Sequence, residues 1–126
     1  MGVIRIKDGV LFTKIAPGGF RILSALDVVA EPLTYDLEIT SACDGVHSGP
    51  DDPHHSGNAY DIRTHDLPDK QETLKSIQFE LGDVHFYAFI EAGGTSNEHI
   101  HIQVKKGTVF PPSDVEQVQE AVNGEN

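Results

Sequence analysis

Cysteine, long apolar runs and positive charge are all scarce in this chain of 126 residues. Cys43 is the only cysteine, which excludes an internal disulfide framework and a cysteine-based zinc cluster. No run of about 18 consecutive apolar residues occurs, which excludes a membrane-spanning helix of the usual kind. The first residues, MGVIRIKDGVLF, match neither a secretory signal nor a myristoylation site, so we expect synthesis in the cytoplasm without a signal peptide.

The scarcity of basic residues restricts the possible partners. Nine Lys and Arg residues stand against 20 Asp and Glu residues, which gives a formal net charge of −11. An acidic surface repels phosphate backbones and anionic lipids, so we expect neither nucleic-acid binding nor electrostatic adsorption to membranes. The length and the hydrophobic content of 38% are those of one soluble domain, which we place over residues 1–126.

Hydrophobic patterns along the chain predict an α+β fold with a mainly antiparallel sheet and two to three helices packed on it. Strands are predicted over residues 3–6, 9–15, 35–40, 58–64, 84–92 and 99–104. Helices are predicted over residues 18–32, 67–82 and 113–122. The apolar stripe of the first helix consists of Phe20, Leu23, Leu26 and Ala30. Asp69 and Glu72 form a start signal for the second helix, and Gly82 is its stop.

A polar connection over residues 41–57 is too long for an ordinary loop in a compact domain and is therefore a functional candidate. It leads into the strand that contains Asp61. Because side chains alternate between the two faces of a strand, Asp61 shares its face with Ala59 and Arg63. The same alternation places His99 and His101 together on one face of the last strand, with the intervening isoleucines directed into the core.

These side chains indicate a metal site. A loop histidine seven residues before Asp61 can converge with Asp61 at the entry to the strand. A histidine from a neighbouring strand would complete a set of three ligands. Such a set leaves one coordination position open, which is typical of catalytic zinc.

Two motifs give the chain a resemblance to a known family. The first, H-x-x-G-x-A-x-D, consists of His54, Gly57, Ala59 and Asp61. The second, E-x-x-H, consists of Glu98 and His101. In this order they resemble the D-alanyl-D-alanine carboxypeptidase and phage L-alanyl-D-glutamate endolysin family of zinc peptidases, whose fold hedgehog signalling domains share. The similarity extends over residues 37–104 and implies a hedgehog/DD-peptidase-like fold.

The resemblance also implies roles for individual residues. The ligands of a single zinc ion would be His54, Asp61 and His101. Glu98 would act as the general base towards the water that zinc activates, and His99 would stabilise the oxyanion or orient that base. The family often places a further polar active-site group where the loop has His47.

One part of the family pattern is altered. Members commonly have Ser-x-x-Arg before the first ligand, where the arginine helps to hold the substrate. In this chain the corresponding stretch begins at Ser41 and ends at Asp44, so the arginine is absent. Arg63, on the same face as Asp61, could partly replace it, and we therefore assign substrate binding to Ser41 and Arg63.

The resulting expectation is a monomeric zinc peptidase that cleaves peptidoglycan stem peptides at L-Ala-D-Glu or D-Ala-D-Ala bonds. An endolysin of this kind would act on the cell wall after its release from the cytoplasm. One alternative is a zinc-binding module of the same fold that binds or stabilises without catalysis. Another is a metal-free structural protein, such as a virion component.

Overall fold

A computed structural model describes residues 1–44 and 52–110, which form one sheet of five strands and two helices. The strands are β1 (Ile4–Ile6), β2 (Leu37–Ser41), β3 (Ala59–Arg63), β4 (Phe86–Glu91) and β5 (His99–Val104). The helices are α1 (Pro17–Ala30) and α2 (Lys70–Leu81). His47 and the helix predicted over residues 113–122 lie outside the described residues.

The strand order in the sheet is β1-β2-β3-β5-β4. β1 pairs with β2 in parallel, and the other three pairings are antiparallel. β5 therefore lies between β3 and β4, where Asp61 of β3 is directly opposite His101 of β5. This pairing brings together two side chains that are 40 residues apart in the sequence.

Alternation along the strands divides the sheet into an apolar face and a polar face. Apolar side chains such as Ile39, Ile62 and Ile102, all fully buried, pack with α1 and α2 in one core. The opposite face presents Asp61 and His101. These two residues are each next to one of these isoleucines in the sequence, and side chains alternate between the two faces of a strand. The α+β class with a mainly antiparallel sheet is thus confirmed, with two helices among the described residues.

The boundaries of both helices confirm the signals in the sequence. α1 ends directly before Glu31 and Pro32, since a proline cannot continue a helix. At the start of α2, the carboxylate of Asp69 accepts a hydrogen bond from the backbone N–H of Glu72 at 3.1 Å. Gly82 ends α2 with a φ of 73°, a conformation that favours glycine. None of the described helices has the length and apolarity needed to cross a bilayer.

The predicted apolar stripe of α1 is wrong at Phe20, which is 60% exposed. The buried side chains lie instead at positions with i, i+3, i+4, i+7 and i+8 spacing: Ile22, Ala25, Leu26, Val29 and Ala30. Gly18 and Gly19 are buried as well, because the start of α1 lies too close to its neighbours to admit a side chain. The first turn of α1 therefore packs through its glycines and leaves Phe20 on the outside.

The strand predicted over residues 9–15 is also wrong, because this segment contains no strand. It begins in a turn, with Gly9 at a φ of 89° and the backbone N–H of Val10 bonded to the carbonyl of Lys7 at 3.2 Å. Leu11 accepts one backbone hydrogen bond, from Cys43 at 2.8 Å, and Phe12 stacks on Tyr60 with ring centroids 5.7 Å apart. Val10 and Phe12 thus pack against the core, while the backbone of this segment stays outside the sheet.

Gly57 joins this segment to the turn before β3. Its φ is 77°, and a Cβ atom at this position would collide with the carbonyl of Lys14. Its own carbonyl accepts hydrogen bonds from the backbone N–H of Ala16 at 3.4 Å and the hydroxyl of Tyr60 at 3.3 Å. The glycine of the H-x-x-G motif is therefore required by the backbone, and it fixes the turn that contains His54.

We expect Gly57→Ala to destabilise the protein more than Gly107→Ala does. Gly107 has a similar φ of 81° but open space around it, so its substitution measures the conformational cost alone, about 1–2 kcal/mol. At Gly57 the collision should add about 1–3 kcal/mol to the loss in the free energy of unfolding. Urea denaturation of both variants measures the difference. Equal losses would contradict the close approach of Gly57 to Lys14.

Candidate metal centre

The centre of the polar face is the carboxylate of Asp61, on which three imidazole rings converge. Its Oδ1 atom lies 3.0 Å from Nδ1 of His101, 3.3 Å from Nε2 of His54 and 3.6 Å from Nε2 of His99. The rings of His54 and His101 meet edge to face, with centroids 5.1 Å apart. The structure thus brings together the three residues predicted as zinc ligands, with His99 beside them.

The second nitrogen of the His54 ring fixes its orientation. Nδ1 lies 2.9 Å from the backbone carbonyl of Ala42, which can only accept, so Nδ1 donates this hydrogen bond. Nε2 lies 3.3 Å from Oδ1 of Asp61, and it would be the ligand nitrogen when a cation takes the place of a proton there. A backbone carbonyl that holds the other ring nitrogen is the usual support of a metal-binding histidine.

Gln103 supports His101 in the same way. Nε2 of His101 lies 2.7 Å from Oε1 of Gln103, while the amide nitrogen of Gln103 donates to the carbonyl of Val104 at 3.3 Å. That second bond orients the amide so that its oxygen faces the imidazole. Nε2 of His101 is then a donor, and Nδ1, which bonds to Asp61 in the protein alone, would be the ligand nitrogen when a cation is bound.

Burial and hydrogen bonding act in opposite directions on the central pair. Asp61 and His101 are each only 8% exposed. Burial by itself raises the pKa of Asp61, but hydrogen bonds from His101 and His54 outweigh it and hold that pKa well below its usual range. Burial lowers the pKa of His101, while its bonds to Asp61 and Gln103 give a net increase in that pKa. Asp61 is therefore a stable anion at neutral pH.

This donor set fits a zinc ion. His54, Asp61 and His101 each offer one ligand atom, and these three atoms lie within 4.8 Å of one another. Imidazole nitrogen together with carboxylate oxygen is a common ligand combination for zinc. The three side chains open onto a cavity of about 460 Å³. Its wall also contains Tyr87, Phe89 and Glu91 from β4. The arrangement therefore leaves room for a further ligand or a substrate.

Glu91 is a residue that the sequence prediction missed. It is paired with His99 across β4 and β5, and its Oε1 lies 3.0 Å from Nε2 of that histidine. Glu91, His99 and His101 also each offer one ligand atom, and these three atoms lie within 4.8 Å of one another. Glu91 belongs to no motif, so it could have been found only from the alternation of β4 together with the register between β4 and β5.

Glu98, predicted as the general base, lies elsewhere. It directly precedes β5, and its carboxylate bonds to the hydroxyl of Thr64 at 2.6 Å, the ammonium of Lys70 at 2.8 Å and the backbone N–H of Gly94 at 2.9 Å. Thr64 follows Ile62 on the helix side of the sheet, so Glu98 lies on the opposite face from Asp61. The described geometry does not bring Glu98 to the three ligands, and its role as a base stays a prediction.

The contacts of Glu98 make it a weak proton acceptor. Hydrogen bonds from Lys70, Thr64 and Gly94 lower the pKa of Glu98 to about 2. A carboxylate with three donors at this pKa binds a proton poorly near neutral pH. These bonds join the start of α2 to the turn between β4 and β5, which indicates a structural role.

The remaining predicted residues have different positions. Arg63 lies on the polar face opposite His99, with its guanidinium 3.0 Å from Asp66 and 3.7 Å from Glu38. Ser41 is opposite Asp61 at an irregularity between β2 and β3. Substrate binding by Ser41 and Arg63 stays a prediction.

Comparisons with known proteins identify no relative. No protein-family model matches the chain. No curated protein matches it either. No solved structure is similar to it. The resemblance of the two motifs is therefore an expectation from the residues alone.

We expect Glu98→Gln to remove part of the acid sensitivity of folding. Because the folded-state pKa of Glu98 is below that of an unfolded glutamate, about 4.3, its stabilisation is present above that value and is lost as the pH falls towards about 2. Wild type should therefore be more stable than Glu98→Gln at pH 7, and the difference should shrink between about pH 4.5 and 2.

Urea denaturation across this pH range measures the effect. Glu80→Gln is the matched control, because Glu80 is an exposed glutamate of α2. A stability difference between wild type and Glu98→Gln that is constant over the range would contradict the three hydrogen bonds.

Proposed function

We propose that this protein is a zinc-dependent peptidase that hydrolyses amide bonds of peptidoglycan stem peptides. The main observation in support is the convergence of His54, Asp61 and His101 beside an open cavity. A bound zinc ion would polarise the amide carbonyl and activate water. The peptidase chemistry and the substrate are supported by the motif resemblance, which includes Gly57 and the fully buried Ala59 next to the ligands.

The residues of the chain itself would prepare this chemistry. Ala42 and Gln103 hold the rings of His54 and His101, so their ligand nitrogens are oriented before a cation arrives. Asp61 contributes a negative charge in a mostly buried position. Orienting the ligands in advance reduces the reorganisation needed on binding, and tight geometry is what a metal site requires.

A proton acceptor is also needed near the cavity. Glu91 lines that cavity, is half exposed in its side chain and lies against His99. Glu98 has its carboxylate bonded to Lys70 on the other face of the sheet. We therefore propose Glu91 as the general base, with His99 as the neighbour that orients it. Glu98, favoured by the motif, is the alternative base.

The position of His99 favours a second function. Its Nε2 lies 3.6 Å from the same Asp61 oxygen that the other two histidines approach. If His99 were a fourth ligand, it would close the coordination sphere, as in structural zinc sites. The protein would then be a non-catalytic zinc-binding module.

We expect purified wild type to bind one zinc ion per chain, with a graded loss of affinity in variants. Removal of a supporting group typically lowers metal affinity 10- to 100-fold, so Gln103→Ala should have that effect, and removal of a ligand in His54→Ala or His101→Ala should exceed about 100-fold. Competition with a chelating dye measures the affinities. His65→Ala is the control, because His65 bonds to the Ser96 carbonyl outside the cluster.

A wild-type protein without measurable zinc affinity would contradict the proposed metal site. His99→Ala separates the two functions. If His99→Ala lowers zinc affinity less than about 10-fold, the fourth coordination position is open for catalysis. If it lowers zinc affinity as much as His101→Ala does, His99 is a ligand.

We expect Glu91→Gln to lower kcat for hydrolysis by about 10²- to 10⁴-fold with zinc still bound, which is the usual contribution of a general base. Glu98→Gln should retain most of the activity at temperatures where it is folded. New amino groups released from purified cell walls of several bacterial types measure the rates. The reverse ranking would assign the base to Glu98, and zinc-loaded wild type that releases no amino groups would contradict the peptidase.

A further inference from the structure

We propose that a second, smaller cavity beside the metal cluster binds a carboxylate group through Lys7 and Arg63. As a substrate subsite this cavity depends on the proposed peptidase function, whereas carboxylate binding itself can be measured without it. The ligand would be a carboxylate of a peptide, which is either the C-terminal one or the side-chain one of an acidic residue.

The cavity lies where four neighbouring strands meet the turn before β5. It has a volume of about 140 Å³, the size of a small polar group, and includes side chains that follow or belong to β1, β2, β3 and β5: Lys7, Thr40, Arg63 and His99. The backbone N–H of Lys7 bonds to the carbonyl of Ile39 at 3.0 Å, which extends the pairing of β1 and β2 to this point. Each strand thus contributes one side chain to the same small space.

The charge in this cavity is unusual for the chain. Two of the nine Lys and Arg residues line it, although the protein as a whole has a net charge of −11. Glu98 is the only carboxylate among the described lining residues, and its charge is compensated by Lys70 at 2.8 Å. Lys7 has no ion pair within the described part of the chain. The cavity therefore contains one cation, Lys7, whose charge no described carboxylate compensates, beside Arg63, which is paired with Asp66 and Glu38.

Arg63 already has acidic neighbours, but they can be exchanged. Its partner Asp66 is 77% exposed in its side chain, and Glu38 is 3.7 Å away. Exposed ion pairs of this kind contribute little to stability. A carboxylate enclosed by Arg63 and Lys7 together would gain charge-assisted hydrogen bonds from two cations, which are stronger than a single exposed pair.

The position of the cavity connects it with the metal cluster. His99 lines the cavity and also lies 3.6 Å from the Asp61 carboxylate. A carboxylate held by Lys7 and Arg63 would therefore be adjacent to the proposed ligands, on the side away from Tyr87 and Phe89. This arrangement would select peptides with a negative charge close to the cleaved bond.

Binding is tested on the metal-free protein in the presence of EDTA, so that no hydrolysis occurs and zinc binding is not needed. N-acetyl-D-alanine supplies a terminal carboxylate, N-acetyl-D-isoglutamine a side-chain carboxylate, and N-acetyl-D-alaninamide has neither. Chemical-shift titrations give the affinity of each probe for wild type, Lys7→Met, Arg63→Met and Arg5→Met. Arg5→Met is the matched control, because Arg5 lies on β1 and its loss changes the net charge equally.

We expect at least one acid to bind wild type with shifts centred on His99 and Arg63, and about tenfold more tightly than the amide. Lys7→Met and Arg63→Met should each weaken the binding of that acid about tenfold, as expected for loss of one charged hydrogen-bond partner. Arg5→Met should change it less than about twofold. Two results would overturn the proposal: equal binding of acids and amide, or an equal loss in all three variants.

The outcome is independent of the proposed peptidase. Tight carboxylate binding in a protein without zinc or hydrolysis would leave the pocket in place and remove its function as a substrate subsite. Zinc-dependent hydrolysis without carboxylate binding would retain the peptidase and reject the pocket.

Discussion

The polar face of this protein depends on one buried carboxylate. Asp61 is 8% exposed, and its Oδ1 atom has imidazole nitrogens of His54, His99 and His101 at 3.0–3.6 Å. An isolated buried charge is strongly unfavourable, so this arrangement requires partners that supply positive charge or hydrogen bonds. In the protein alone these are the imidazoles, and in the proposed holoprotein they would be a cation held by two of them.

The rest of the fold places the partners of Asp61. The register of β3 and β5 sets His101 opposite Asp61, and Gly57 shapes the turn that presents His54. The isoleucines next to Asp61 and His101 in the sequence pack against α1 and α2, so the same alternation that builds the core also builds the site. A shift of one residue in this register would bury the histidines and expose the isoleucines. Stability and site geometry are thus linked through the register.

Short-range patterns were sufficient for much of this structure. The Asp69 cap and the stop at Gly82 are local signals, and period-two alternation was enough to place His99 and His101 on one face. The separation of His54 and Asp61 in one motif predicted their convergence, because a turn and a short strand leave few other arrangements. In each case the relevant residues lie within one element, its cap or the adjoining turn.

Long-range information was needed for the rest. Alternation alone cannot show that Phe12 packs on Tyr60 while its segment stays outside the sheet, because that depends on the position of Cys43 after β2. Glu98 was assigned by motif to the site, whereas the strand alternation continues through it and directs it to Lys70. Glu91 approaches His99 only through the pairing of β4 with β5, which no spacing in the sequence reveals.

The proposed hydrolase depends on a metal ion bound by the histidine cluster around Asp61. Diffraction from zinc-loaded crystals at the zinc absorption edge tests its central claim most directly. We predict one anomalous peak about 2.0–2.2 Å from Nε2 of His54, a carboxylate oxygen of Asp61 and Nδ1 of His101. A zinc peak at another site, or none on this face, would contradict the metal centre and the function proposed from it.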